Sequence, residues 1–314
     1  MTQLRNNPIA GLRHAAGALL VLAIIILGAP WTTSPVALAQ DQVLFVSVTD
    51  GAGEPVTDLE PDDIGVQWDG AESEIRELEP IDWPVRLTVF VDNGEAGRNS
   101  IPLVRDGLRA FLQEIPDDVE VAFLTLARQP RWITRHTADR EELTKAIDLI
   151  VPDAGASARY LDALIEEAGR IDDDDEREYF PVIVMIATDG AEGSTGQQRA
   201  FQQMGDRLVQ NSATVHTRLL RTSSGTGAGG RATQVGTTIG EGTRGSFETL
   251  GAGSAWVTLL PQLGADIARK HKLVSNQYRV TYRPPDGASQ QPSISVGTTR
   301  SGLQVFPTTD GNVP

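Results

Sequence analysis

Four runs of strand type, Val85–Val91, Val119–Leu126, Val182–Ala187 and Thr214–Leu220, alternate with stretches whose apolar residues recur at helical spacing. That alternation constrains the fold more than any other feature of the chain. After Val91 come Ile101, Val104, Leu108, Phe111, Leu112 and Ile115, spaced for one helix face behind Ser100 as an N-cap. Further helices are expected over Asp139–Val151, Tyr160–Ile171, Gln197–Gln210 and Ala255–Lys272. Strands interleaved with helices imply βαβ crossovers, and so an α/β fold with a doubly wound, mainly parallel sheet covered on both faces.

The ends of the chain follow a different rhythm. Val43–Val48, Pro55–Leu59, Ile64–Trp68 and Glu74–Leu78 are short strands punctuated by Asp50–Gly53 and Asp69–Gly70 turns, and strand patterns return at Gln277–Tyr282, Ser293–Val296 and Leu303–Phe306. We expect the two sets to form one small β-rich accessory unit. The expected division is residues 1–39, an N-terminal β-unit at 40–83, an α/β domain at 84–275, and a C-terminal β-segment at 276–314 packing on the N-terminal one. Within the α/β domain, the Gly/Thr-rich span 223–254 reads as a flexible loop, long for a connection in a compact domain.

Residues 1–39 have the pattern of a secretory signal: basic Arg5 and Arg13, the apolar run Ala15–Leu27, and Ala37-Leu38-Ala39 ahead of Gln40. The alternative is a retained anchor, although the uncharged stretch before Pro30 is shorter than the ~18 to 20 residues of a spanning helix. Removing Arg5 and Arg13 leaves 25 basic against 42 acidic side chains, a net charge of −17. Such a surface repels phosphate backbones and anionic lipid, which argues against nucleic-acid or membrane-surface binding. The expected location is periplasmic or extracellular, with no membrane span after cleavage. The chain has no cysteine, so disulfides, thiolate metal sites and cysteine nucleophiles are excluded.

Two aspartates, Asp92 and Asp189, directly follow or closely trail strand runs, at the carboxyl ends where open parallel sheets bind ligands. Other motifs lack context. Gly225–Gly230 and Gly240–Gly245 fit G-x-G-x-x-G, but neither is expected to open a helix. The acidic run Asp172–Glu176 lacks the spaced ligands of a calcium loop. His136, His216 and His271 are scattered, no serine sits in a G-x-S-x-G elbow, and Trp83, Trp132 and Trp256 read as packing residues.

The order strand–Asp92, helix, strand, a Gly155–Leu164 segment containing Leu161-Asp-Ala-Leu164, and apolar strand–Thr188-Asp189-Gly190 resembles a von Willebrand factor type A (VWA) domain. The flanks Val46–Leu59, Asp63–Gly70 and Gln277–Pro285 resemble the ends of the VWFA-related, acidobacterial-type proteins, so the resemblance spans about residues 43–306. The family's metal-ion-dependent adhesion site holds Mg²⁺ or Mn²⁺ through an Asp-x-Ser-x-Ser loop, a threonine and a further aspartate. Here Gly94 and Ala96 stand at the serine positions and Ala158 at the threonine position, with Ser157 beside it.

The resemblance therefore implies a degenerate site in which Asp92 and Asp189, helped by Ser157 or Glu95, are the remaining ligands; the two carboxylates with water would hold Mg²⁺ or Mn²⁺ weakly, and no other cofactor is expected. The preferred reading is an exported, non-enzymatic interaction module, a scaffold or adhesion protein. It would present Asp92, Asn93, Glu95, Ser157, Asp189 and Glu192 to a protein partner. The alternatives are a Mg²⁺- or Mn²⁺-dependent adhesin using Asp92 and Asp189, a hydrolase using the carboxylate pair, and a structural envelope component. Fold analogy alone does not choose among them.

Overall fold

The computed structural model describes residues 40–196, 198–222, 230–289 and 292–312, so the reading of 1–39 as an export signal lies outside the described residues. The chain begins with β1 (Gln42–Thr49), β2 (Ile64–Trp68), β3 (Ala71–Glu72) and β4 (Glu74–Ile81). An alternating section follows: β5 (Val85–Val91), α1 (Ile101–Glu114), β6 (Val121–Thr125), β7 (Arg131–Thr137), α2 (Arg140–Asp148), α3 (Tyr160–Asp172), β8 (Phe180–Thr188), α4 (Gln198–Gln210), β9 (Thr214–Leu220), α5 (Gly230–Gly242), β10 (Ser246–Leu250) and α6 (Trp256–Val274). The chain then returns to strands with β11 (Gln277–Arg283), β12 (Ile294–Thr298) and β13 (Gln304–Thr308).

The alternating section forms a six-stranded sheet in the order β10-β9-β8-β5-β6-β7, parallel throughout except where β7 runs antiparallel to β6 at the edge. Its central strands are apolar at nearly every position because both faces are covered. Leu87, Val89, Val184 and Ile186 pack under α1, α2 and α6, whereas Phe90, Ile183, Met185 and Val215 pack against α3, α4 and α5. Glycines let α1 and α6 come close: a Cβ on Gly107 would lie 2.6 Å from the Trp256 carbonyl oxygen, and one on Gly264 would lie 2.9 Å from that of Phe111.

The chain's two ends build the accessory unit. β1 pairs with both β11 and β13, β11 pairs with β4, and β12 pairs with β2, all antiparallel. Leu44, Val46, Val48, Tyr278, Val280 and Tyr282 form its core. The expected α/β fold with a β-unit drawn from both termini is the observed architecture. Among the described residues, no helix is long and apolar enough to cross a membrane.

Three local expectations are corrected. Residues 230–250 of the span read as a flexible loop are ordered as α5 and β10, with β10 an edge strand parallel to β9. Glycine there serves close packing: a Cβ on Gly236 would lie 2.8 Å from the Phe247 ring, and one on Gly245 would lie 1.9 Å from the Val215 carbonyl oxygen. Gly230 opens α5, so the first glycine motif does end at a helix; its residues 225–229 lie outside the described ones. Ser100 does not cap α1 with its side chain, because a 3-10 turn precedes the helix and the Ser100 hydroxyl donates to the Gly97 carbonyl at 2.8 Å.

Candidate functional site

After β5 the chain proceeds to β6 on one side of the sheet, and after β8 to β9 on the other, so the carboxyl ends of these adjacent strands diverge into a crevice. The crevice is a cleft of about 310 Å³, lined by Asp92, Glu95, Ala156, Ser157, Thr188 and Gly190 among others. Asp92 directly follows β5 and is 5% exposed. Both of its oxygens are occupied: Oδ1 accepts the Gly94 amide at 2.8 Å, and Oδ2 accepts the Thr188 hydroxyl. Burial pushes the Asp92 carboxyl above the ordinary aspartate range, and the bonds from Thr188 and Gly94 oppose that shift.

The loop after β5 is stitched to the segment ahead of α3. The Glu95 amide donates to the Ala156 carbonyl at 2.9 Å, and the Gly155 amide donates to Glu95 Oε2 at 2.9 Å. Glu95 also pairs with Arg98 at 3.1 Å. Asn93 is 7% exposed and works as a bracket. Its Nδ2 donates to the Val151 carbonyl at 2.8 Å and its Oδ1 accepts the Ala127 amide at 3.1 Å. Both ends of the Asn93 amide are thus used inside the loops.

Asp189 sits at the start of the loop after β8 and takes a different partner. Its Oδ1 accepts the amide and the hydroxyl of Thr222, both at 2.7 Å, just beyond the end of β9. Asp189 does not line the cleft that contains Asp92. The fold delivers both carboxylates to the same edge of the sheet, and Thr222 engages one oxygen of Asp189 there.

Ser157 is exposed at the cleft wall. Glu192 is half-buried, accepts the Ser194 amide at 2.9 Å, and is held above the ordinary glutamate range chiefly by burial. Among the described residues, no group of three His, Asp or Glu side chains is placed to hold a metal ion. The first loop resists repair as well, since a Cβ on Gly94 would lie 2.6 Å from the Ala156 carbonyl oxygen. A serine therefore does not fit there without moving the backbone. The residues present fit a divalent-cation site poorly: Gly94, Ala96 and Ala158 offer no hydroxyl to it, and both Asp92 oxygens already accept hydrogen bonds within the protein.

The remaining sequence candidates lie elsewhere. His136 bonds to the Thr88 hydroxyl at 2.9 Å, His216 to Ser246 at 2.9 Å, and His271 accepts the Val85 amide at 3.2 Å, so none reaches the cleft. Trp256 is 1% exposed, and Trp132 lies beneath the Arg135 guanidinium at 4.1 Å. Of the acidic run, Asp172 accepts from Asn211 at 2.9 Å and Asp174 from the Tyr179 hydroxyl at 2.9 Å. Sequence reasoning missed Thr188 and Thr222 as the partners that set the two aspartates. The one available signal was a hydroxyl residue at or just past a parallel strand's carboxyl end.

No protein-family model and no curated protein matches the chain. Solved structures resemble it at low identity. A von Willebrand factor type A structure from Catenulispora acidiphila is 10% identical over 86% of this chain and 72% of that one, with a TM-score of 0.48. Proximal thread matrix protein 1 of the mussel byssus, with a zinc-occupied metal-ion-dependent adhesion site, is 13% identical over 62% of this chain, with a TM-score of 0.46; this chain covers 50% of its length. Manganese-loaded TRAP protein of Plasmodium vivax is 14% identical over 77% of this chain and 100% of its own, with a TM-score of 0.42. At these values the likenesses carry no ligand or partner across to this chain.

Proposed function

We propose that this chain is an exported, non-enzymatic protein-interaction module of VWA type whose loop edge works without a bound cation. The observation that supports this reading is the internal use of the edge's polar groups. Asp92, Asn93, Glu95 and Asp189 all spend hydrogen-bonding capacity on holding the loops after β5 and β8 and the segment ahead of α3. The result is a pre-organised surface, and rigid loops lose little entropy when a partner docks. Ser157, Glu95 and Glu192 remain as contact residues on that surface. An enzymatic reading has less support, because among the described residues no histidine lines the cleft and Asp92 is enclosed by Thr188 and Gly94.

A photoreactive amino acid placed at Ser157 tests the proposal, with a second at exposed Asp117, in the turn ahead of β6 at the opposite end of the sheet, as the control. In the native envelope, a discrete protein adduct from position 157, absent from position 117 and unchanged by chelation, is expected. Equal adducts from both positions would reject the loop edge as the interface. An adduct from position 157 that disappears on chelation would instead favour the Mg²⁺- or Mn²⁺-dependent adhesin.

A further inference from the structure

A second pocket, of about 420 Å³, lies at the opposite end of the central sheet, where β5, β8 and β9 begin. Aromatic residues make up only 5% of the chain, yet four of them meet here: Phe45 of β1, Trp83 between β4 and β5, Tyr179 and Phe180. Phe180 is buried, whereas Phe45, Trp83 and Tyr179 remain half-open. A simple seam between the accessory unit and the α/β layer would close over such rings, since burying an aromatic side chain is among the largest apolar gains available.

The rings are held in place. Trp83 and Phe180 are tilted against each other with centroids 5.8 Å apart, and the Arg86 guanidinium stands 4.7 Å from the Tyr179 ring. The Tyr179 hydroxyl donates to Asp174 at 2.9 Å. The facing wall is the turn between α4 and β9. There Asn211 donates to Asp172 and to the Arg207 carbonyl, both at 2.9 Å, and Ser212 takes a left-handed φ of 56° while its hydroxyl donates to the Asp310 carbonyl. A non-glycine residue at such φ is uncommon and is retained where surrounding structure enforces it.

The rim supplies hydrogen-bonding groups that the protein itself leaves open. Gln210 and Thr309 are exposed and have no side-chain partner among the described residues, and Arg177 makes one long contact, 3.4 Å, to the Ile171 carbonyl. Pre-formed rings surrounded by a few amide, hydroxyl and guanidinium groups are the usual composition of a small-ligand site, and the volume falls within the common range of about 300–1,000 Å³.

We infer that this pocket binds a saccharide, with a pyranose ring stacked on Trp83 and its hydroxyls bonded by the rim. A pyranose has one face of C–H groups, which suits an aromatic ring, and an equatorial belt of hydroxyls, which suits Gln210, Thr309 and Arg177. A proline-rich peptide would use the rings and offer carbonyl acceptors but few donors, leaving the Gln210 amide oxygen unpaired, whereas sugar hydroxyls both donate and accept. The site is separate from the loop edge and does not depend on how that edge functions.

Titration of the protein with chitotriose and with trigalacturonate, followed by tryptophan emission and by calorimetry, tests the inference. Saturable binding of at least one of them is expected. Binding of the neutral sugar assigns recognition to the rings and the amide, and binding of the uronate alone adds Arg177 as the group that takes the carboxylate; either supports the site. Trp83→Ala should weaken binding by about ten-fold or more. Because Trp83 also packs against the core, Val209→Arg provides the second variant: Val209 is 45% exposed at the pocket mouth, so this change should block the pocket at an unchanged melting temperature. No saturable binding of either sugar, or binding that survives Val209→Arg at full strength, would overturn the inference.

Discussion

The loops after β5 and after β8 leave neighbouring parallel strands on the same edge, each with an aspartate at its root, and the two carboxylates meet different fates. Asp92 is sealed between the Thr188 hydroxyl and the Gly94 amide, whereas Asp189 reaches across to Thr222 at a half-exposed position. The difference lies in which hydroxyl stands nearest and in how deep the carboxylate sits. One carboxylate has become part of the sheet's closure and the other a loop clip. An acidic residue at a strand end therefore marks a position, and its neighbours decide whether it remains available to a ligand.

The strongest way to break this comparison is Asp92→Ala. Removing a buried carboxylate leaves the Thr188 hydroxyl and the Gly94 amide without a partner, an expected loss of about 3 kcal/mol in urea unfolding. A loss no larger than that of Asp189→Ala would contradict the contrast. Next in size is Gly94→Ser, which restores a hydroxyl to the first loop. The new Cβ would collide with the Ala156 carbonyl, so a loss of about 2 kcal/mol is expected. A neutral Gly94→Ser would mean that the loop can shift to receive the side chain, and the crowding argument would fall. Asp189→Ala should cost least, about 1 kcal/mol, since the clip to Thr222 is partly open to water.

Much of the fold is legible in the sequence, and the reason is physical. β8 is buried on both faces and so is written as a nearly unbroken apolar run, and β5 departs from that at Arg86 and Thr88, while β9 is buried throughout although Thr214, His216, Thr217 and Arg218 interrupt it; the helices between them carry one apolar stripe. The signal fails at the sheet's margins. β7, Arg131–Thr137, is an edge strand with an irregular register to β6 and a mixed composition. α5 and β10 are obscured by glycines, whose composition suggests freedom although Gly236 and Gly245 sit where no Cβ fits.

The candidate site was legible only in outline. Asp92, Glu95 and Ser157 line one cleft, while Asp189 bonds to Thr222 and Asn93 to the Val151 carbonyl. A linear pattern contains no record that Thr222 follows the strand next to Asp189, or that the Ala156 carbonyl fills the space over Gly94. Those facts come from the pairing of strands far apart in the chain.

The central claim is that this edge is held by its own hydrogen bonds in place of a cation. The most direct test is thermal unfolding of the protein after chelation, with and without millimolar Mg²⁺ or Mn²⁺. A cation at 100 times its dissociation constant would stabilise the fold by about 2.7 kcal/mol. The account predicts superimposable melting curves with either ion. A rise in melting temperature that is lost in Asp92→Asn would contradict it, showing that Asp92 exchanges its bond from Thr188 for a metal.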